Sequence, residues 1–219
     1  MNRNFRPLCW PLTLVFSLLW LAGCQTDQKT AVTPAQPPAI TAPVAAATPV
    51  PEAAAPAVPS ADASPIELKP PVRIKAGTTT AVTDSSGQAW LPDQGFEGGD
   101  VVDRAEDLKI ANTADPGLYR SEHYGMTAFT CKLPNGRYVV KLHFAETFES
   151  IEGPGQRVFS FNVQGHDYKD FDVFVKAGGA FRAYVETVNV EVTDGTFKIT
   201  FASGVENPEI NGIEILPAA

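Results

Sequence analysis

The sequence predicts an all-β domain, an antiparallel β-sandwich over residues 72–217, preceded by a long segment that builds no core. Three observations predict it: short runs in which apolar and polar residues alternate, turn signals between those runs, and no convincing amphipathic helix. Many short strands joined by turns are the pattern of two sheets packed face to face.

Pro134-Asn135-Gly136 supplies a turn. In the run that follows, residues 138–144, the even positions are all apolar while Lys141 and His143 point the other way, as on a half-buried strand. His143 is read as a polar residue on that outer face. Residues 158–163, 171–175, 188–192 and 197–201 are further alternating runs. Asp194-Gly195, between the last two, is a hairpin signal, and residues 210–215 read as a closing strand. Asp170 and Asp172, two apart, fall on one strand face.

The N-terminus is an address. Arg3 and Arg6 precede a charge-free, largely apolar run over residues 10–21 that ends in Ala22-Gly23, the layout of a secretory signal. Its length of about a dozen residues is short of the roughly 20 that a helix needs to cross a bilayer. Leu21-Ala22-Gly23-Cys24 resembles the lipobox of bacterial lipoproteins. The resemblance implies that residues 1–23 are removed and that Cys24 carries lipid, palmitate included, as the mature N-terminus. Two or three acyl chains, at about 0.8 kcal/mol per buried methylene, hold a protein on a membrane where one does not. Gln25, rather than aspartate, follows the cysteine, so the expected location is the cell envelope, at the outer membrane.

Removing residues 1–23 takes away two of the 17 basic side chains and none of the 25 acidic ones, leaving a net charge of −10. No basic cluster remains, which excludes nucleic acid as a partner. With Cys9 in the signal and Cys24 committed to lipid, Cys131 has no disulfide partner within the chain. It lies in the apolar stretch 128–133 and reads as a buried, inert thiol. Residues 24–71 hold 11 of the 19 prolines, with Ile40, Ile66 and Leu68 as the larger aliphatics. They read as a disordered, proline-stiffened tether that reaches at most roughly 140 Å at about 3.1 Å per residue.

Within residues 72–217 a series of fragments occurs in a familiar order: Arg73-Ile74-Lys75-Ala76-Gly77, Trp90-Leu91-Pro92-Asp93, Leu118-Tyr119-Arg120-Ser121-Glu122-His123-Tyr124, and Leu133-Pro134-Asn135-Gly136-Arg137-Tyr138. Leu142-His143-Phe144-Ala145-Glu146, Gly155-Gln156-Arg157-Val158-Phe159, Asn162-Val163-Gln164-Gly165, Asp170-Phe171-Asp172-Val173 and Asn207-Pro208-Glu209-Ile210-Asn211-Gly212-Ile213-Glu214 complete it. Together they resemble the malectin family, which implies a jelly-roll-like, galactose-binding-domain-like β-sandwich that binds carbohydrate in a cleft at one end. By the same resemblance Tyr124 and Phe148 match aromatics of that cleft, and Glu206 falls where an aspartate precedes Asn-Pro. The chain departs from the animal pattern at Glu149, where a second aromatic stands, and at Val102, where a tyrosine stands.

The residue types suit the chemistry independently. A pyranose has a face of C–H groups that packs on an aromatic ring and a rim of hydroxyls that a carboxylate or amide engages in pairs. Tyr124 and Phe148 are the candidate platforms, and Glu206 and Asn207 the candidate hydroxyl ligands; the alternative is that the rings anchor loops and Glu206 is solvated. Trp90 reads as a core or rim anchor, Tyr119 and Arg120 as packing and a salt link, and Glu146 as a partner for backbone or arginine.

Catalysis and metal binding have weaker support. Glu146, Glu149, Glu152, Asp170 and Asp172 supply carboxylates for a two-carboxylate glycoside hydrolase, but sequence does not give their separations. No serine lies in a nucleophile-elbow context, and the three histidines show no metal-ligand spacing. No catalytic residue, metal or cofactor is assigned. Three functions follow in order: a non-catalytic carbohydrate-binding lipoprotein, an envelope protein–protein interaction module of the same fold, and a glycoside hydrolase.

Overall fold

A computed structural model describes residues 65–219. Its strands, in chain order, are β1 (Ile66–Glu67), β2 (Val72–Lys75), β3 (Val82–Thr83), β4 (Ala89–Trp90), β5 (Phe96–Glu97), β6 (Asp100–Asp103), β7 (Ser121–Tyr124), β8 (Ala128–Lys132) and β9 (Gly136–Phe144). They continue as β10 (Val158–Val163), β11 (His166–Phe171), β12 (Tyr184–Val192), β13 (Thr196–Val205), β14 (Glu209–Ile210) and β15 (Gly212–Pro217).

One sheet runs β1-β8-β13-β10-β11, with β5 added against β8, and the other runs β12-β9-β15-β2. Period-two patterning builds the space between them. Tyr138, Val140, Leu142 and Phe144 of β9 are buried in one core with Phe159, Phe161 and Val163 of β10 and Phe197, Ile199 and Phe201 of β13. Phe144, Phe159 and Phe161 each lie 5.0–5.5 Å, centroid to centroid, from Phe171, close enough for edge and tilted ring contacts. Each fully buried phenylalanine stabilises the fold by about 1.5–3 kcal/mol relative to exposure. A β-sandwich was expected and is found. Its pairings are antiparallel apart from β1 with β8 and two isolated bridges.

Four local readings need correction. The domain begins ahead of residue 72: Ile66 and Glu67 pair with Cys131 and Lys132, Leu68 is buried, and its N–H donates to the Lys132 carbonyl at 2.9 Å. Two aliphatics in an otherwise Ala-Pro-rich segment are what the sheet edge uses. Residues 171–175 are not a strand, because the chain turns into α1 (Val173–Ala177). Asp172 caps its first turn by accepting from the Val175 N–H, and Gly178 closes it in the left-handed conformation. Asp170 ends β11 and Asp172 caps a helix, so the two do not share a strand face.

His143 is not a solvated outer-face residue. A second cluster built on Trp90, Ile110, Leu118 and Tyr119 covers that face of β9. The Trp90 ring meets the imidazole edge-on at 5.2 Å, and the ring nitrogens bond Tyr119 Oη at 2.8 Å and Glu214 Oε1 at 3.0 Å. The closing strand is interrupted at Asn211, whose buried amide donates to the carbonyls of Tyr119 and Ser121. The signal segment, Cys24 and the tether up to residue 64 lie outside the described residues. Among the described residues, no helix is long and apolar enough to cross a membrane.

Candidate functional site

The site is built around β7, which pairs with β6 on one side and β14 on the other, so that Tyr124 lies opposite both Asp100 and Glu209. Backbone passes very close to this strand. A Cβ on Gly77, at φ +75°, would sit 2.7 Å from the Glu122 backbone N and O, and one on Gly99, at φ +82°, would sit 2.4 Å from the Tyr124 carbonyl. Only glycine fits such approaches, and the two together fix where Glu122 and Tyr124 stand.

Tyr124, Phe148, Glu206 and Asn207 come from three separate segments and line one cleft of about 260 Å³. Val102, Arg104, Glu122 and Arg157 complete its wall. Phe148 follows β9 and is 38% exposed, an accessible aromatic ring at the cleft. Glu206 follows β13 with φ +61°, an uncommon conformation for a residue with a Cβ, and its carboxylate accepts from the Asn207 N–H at 3.3 Å. Strain of this kind at a cleft is the sort that surrounding structure holds in place.

Two ion pairs run through this wall. Arg104 Nη2 donates to Glu122 Oε1 at 3.1 Å and its Nε to Thr147 Oγ1 at 3.2 Å, while Thr147 donates to Glu122 Oε2 at 2.7 Å. Arg157 donates from Nε to Glu146 Oε2 at 2.7 Å and from Nη1 to the Asn207 carbonyl at 2.6 Å. The other oxygen of Glu146 accepts from the Phe148 N–H at 2.9 Å. The Glu146–Arg157 pair therefore ties the aromatic segment to the Asn207 loop. Bonds between ionised partners are shorter and about twice as strong as neutral ones.

A third carboxyl, Glu209, is wholly buried, and neither of its oxygens has a hydrogen-bond partner. Burial pushes its pKa well above the usual carboxylate range; Glu122 and Glu146 add to the rise, and Arg157 and Arg104 oppose it. Burial also raises Glu146, against the pull of Arg157. For Arg157, burial disfavours the cation, but Glu209 and Glu146 outweigh it and raise its pKa. The wall thus carries two ion pairs with the buried Glu209 carboxyl close to both, and its unpaired charge is the Glu206 carboxylate.

The residues assigned to packing behave as such in part. Trp90 and Tyr119 are buried in the second cluster, and both carboxylate oxygens of Glu146 are engaged as described. Among the described residues Arg120 makes no salt link, donating instead from Nε to the Leu108 carbonyl at 3.0 Å. Glu122 and Arg157 stand in fragments that carried the family resemblance but had no site role, and Arg104 stood in none. Among the described residues, no group of three or more His, Cys, Asp or Glu is placed to hold a metal ion.

The antiparallel sandwich thus gathers two rings, a carboxylate and an amide at one cleft. The chain matches the Malectin domain over residues 71–213 and belongs to that family, whose domain is of a carbohydrate-binding type. It is 30% identical over 149 residues to the kinesin-like protein KIN-14E of Oryza sativa subsp. japonica, covering 64% of this chain and 14% of that protein. It is also 28% identical over 156 residues to a probable leucine-rich repeat receptor-like serine/threonine-protein kinase of Arabidopsis thaliana, covering 62% of this chain and 15% of the kinase. The chain thus spans about one seventh of the length of these relatives.

Among solved structures, a Bacteroides uniformis beta-glucuronidase superposes with a TM-score of 0.62 at 22% identity, covering 71% of this chain and 20% of the enzyme. The ANX1 ectodomain from Arabidopsis thaliana gives 0.57 at 16% identity, covering 66% of this chain and 47% of the ectodomain. At these identities the likeness shows the fold.

Proposed function

We propose that this chain is a non-catalytic carbohydrate-binding lipoprotein that displays its malectin domain on the bacterial cell envelope. The observation that carries the reading is the convergence of Tyr124, Phe148, Glu206 and Asn207 on one cleft. A pyranose laid with its C–H face on Phe148 or Tyr124 turns its hydroxyl rim toward the Glu206 carboxylate and the Asn207 amide. Arg157, through the Asn207 carbonyl and through Glu146, which accepts from the Phe148 N–H, holds the two segments in place before a ligand arrives, which lowers the ordering cost of binding.

The chemistry favours holding a sugar over cleaving it. Glycoside hydrolysis needs two carboxyl groups free to act on the glycosidic bond. Here Glu146 has both oxygens engaged and no exposed surface, Glu122 bonds Arg104 and Thr147, and Glu209 is wholly buried. Display on the envelope rests on the lipobox-like Leu21-Ala22-Gly23-Cys24 and the Pro-Ala tether, and the outer membrane on Gln25 after the cysteine.

A second reading, an envelope protein-interaction module, draws support from Val102 and Glu149, which stand where animal family members carry aromatics. A glycan array probed with the full chain separates the two. The carbohydrate reading expects a defined saccharide class to bind and that binding to vanish in Tyr124→Ala and Phe148→Ala. An empty array, with an envelope protein crosslinking to the cleft instead, supports the second. Lipid attachment is tested by labelled palmitate, which should enter the wild-type chain and not Cys24→Ser.

A further inference from the structure

Arg157 and Arg104 carry more donors than the protein frame uses. A guanidinium has five N–H groups in one plane and no acceptor. Arg157 commits Nε to Glu146 Oε2 at 2.7 Å and one N–H of Nη1 to the Asn207 carbonyl at 2.6 Å. Among the described residues its Nη2 has no hydrogen-bond partner. Nη2 is not sealed off, however. The buried side-chain atoms without a partner are the two Glu209 oxygens and Asn211 Oδ1, and Arg157, with a side chain 4% exposed, lines the cleft. A cation this deeply buried thus turns one edge to the cleft with no protein acceptor on it. Leaving a charged donor unmet is costly, so such an edge takes its acceptor from what fills the cleft.

Arg104 is placed alike. Its Nε and Nη2 go to Thr147 and Glu122, its Nη1 has no partner among the described residues, and its side chain, 24% exposed, lines the same cleft. Each guanidinium is balanced by its own glutamate, while Glu206 adds an unpaired carboxylate to the wall. The cleft therefore asks for acceptor oxygens on the arginine side and for protons on the Glu206 side. Hydroxyl groups supply both, because each one donates and accepts.

We propose that Arg157 and Arg104 contact the ligand directly, their free Nη groups donating to hydroxyl oxygens of the saccharide while Glu206 accepts hydroxyl protons. Arg157 is then a specificity-determining residue as well as a brace for the Asn207 loop. The inference rests on the carbohydrate reading of the cleft, and it adds to the ring platforms a pair of donors that read where the ligand carries oxygen.

The test is a double-mutant cycle in which one partner is the ligand. The full chain, as wild type, Arg157→Lys and Arg104→Lys, is titrated calorimetrically with the strongest saccharide from a glycan array and with its monodeoxy analogues. In wild type, removal of the hydroxyl that Arg157 reads is expected to cost at least about tenfold in affinity, the scale of a hydrogen bond from a charged donor. Lysine keeps the charge beside Glu146 but not the planar fork. In Arg157→Lys the parent saccharide should weaken and that one deoxy penalty should fall to about twofold or less, with the penalties at other positions unchanged. Arg104→Lys should cancel the penalty at a different hydroxyl. A residue that only braces loops behaves otherwise: Arg157→Lys would weaken every analogue by the same factor. That outcome, or deoxy penalties untouched in both variants, overturns the inference and leaves the cleft standing. Thermal melts report folding, and if Arg157→Lys does not fold, Arg104→Lys, at the more open position, decides by the same cycle. No binding of any saccharide by the wild-type chain overturns the carbohydrate reading and this inference with it.

Discussion

Arg157 fastens the Asn207 loop to the buried frame: its Nη1 reaches the Asn207 carbonyl at 2.6 Å while its Nε is held by Glu146 at 2.7 Å. The pair is almost wholly buried, with side chains 4% and 0% exposed. Breaking a buried pair from one side leaves a charge without compensation, which costs about 3–5 kcal/mol. Arg157→Met is therefore expected to lower the unfolding free energy measured in urea by about that amount. Arg157→Lys keeps a charge but loses the two-point fork, so it should weaken ligand binding by a larger factor than it weakens the fold. Equal stability of wild type and Arg157→Met would show that the pair holds nothing.

His123 is wedged on the same strand as Tyr124. Its Nε2 faces the Gly98 carbonyl and its Nδ1 the Asp93 carboxylate, both at 2.9 Å, so both nitrogens are called on to donate, which only the imidazolium does. Burial works to lower its pKa, and the bonds to Asp93 and Gly98 outweigh burial and raise it above 6.5. A raised pKa stabilises the fold fully below the unfolded value and loses that contribution as pH climbs through the folded one. Denaturant midpoints measured from about pH 5 to 9 should fall across that window in wild type and fall less in Asp93→Asn. Superimposable profiles would refute the assignment.

Glu209 carries the same sign for a different reason. Burial, with Glu122 and Glu146 beside it, holds it protonated well above the usual carboxylate range. The native state then keeps a proton that the unfolded chain has released, so stability declines as pH rises from the ordinary carboxylate pKa toward the folded value. Glu209→Gln, which is neutral throughout, is expected to flatten that slope. A slope unchanged by the substitution counts against a neutral Glu209.

Cys131 has no exposed surface, and burial pushes its thiol pKa up to about 12. In a chain with Cys9 and Cys24 replaced by serine, thiol reagents should label it only after denaturant is added. Rapid labelling of the native chain would mean that the β1–β8 edge opens readily.

Much of this was legible in the sequence because burial on one face of a strand leaves a period of two, which is why 138–144 and 197–201 read correctly. The run 171–175 misled: Val173 and Val175 favour strand, yet the Asp172 cap and Gly178 stop decide for a helical turn. His143 misled for another reason, since alternation names the face a side chain takes but not what covers that face. The same blindness hid Arg104, Glu122 and Arg157. Charged residues read as solvated unless the partner that buries them is known, and theirs come from 11 to 18 residues away for two of the pairs and 50 for the Asn207 contact. Tyr124, Phe148, Glu206 and Asn207 were found by family resemblance and ligand chemistry, and no local pattern in the chain says that they meet.

The central claim is that these four side chains form one sugar-binding cleft. The most direct measurement is titration of the full chain with the strongest saccharide from the array, in wild type, Tyr124→Ala, Phe148→Ala and Glu206→Gln, with thermal melts as the control for folding. The account expects affinity to fall at least tenfold in each aromatic variant and less in Glu206→Gln, with melts close to wild type; tenfold corresponds to about 1.4 kcal/mol, the scale of one lost ring platform. Wild-type affinity in both folded aromatic variants would contradict it.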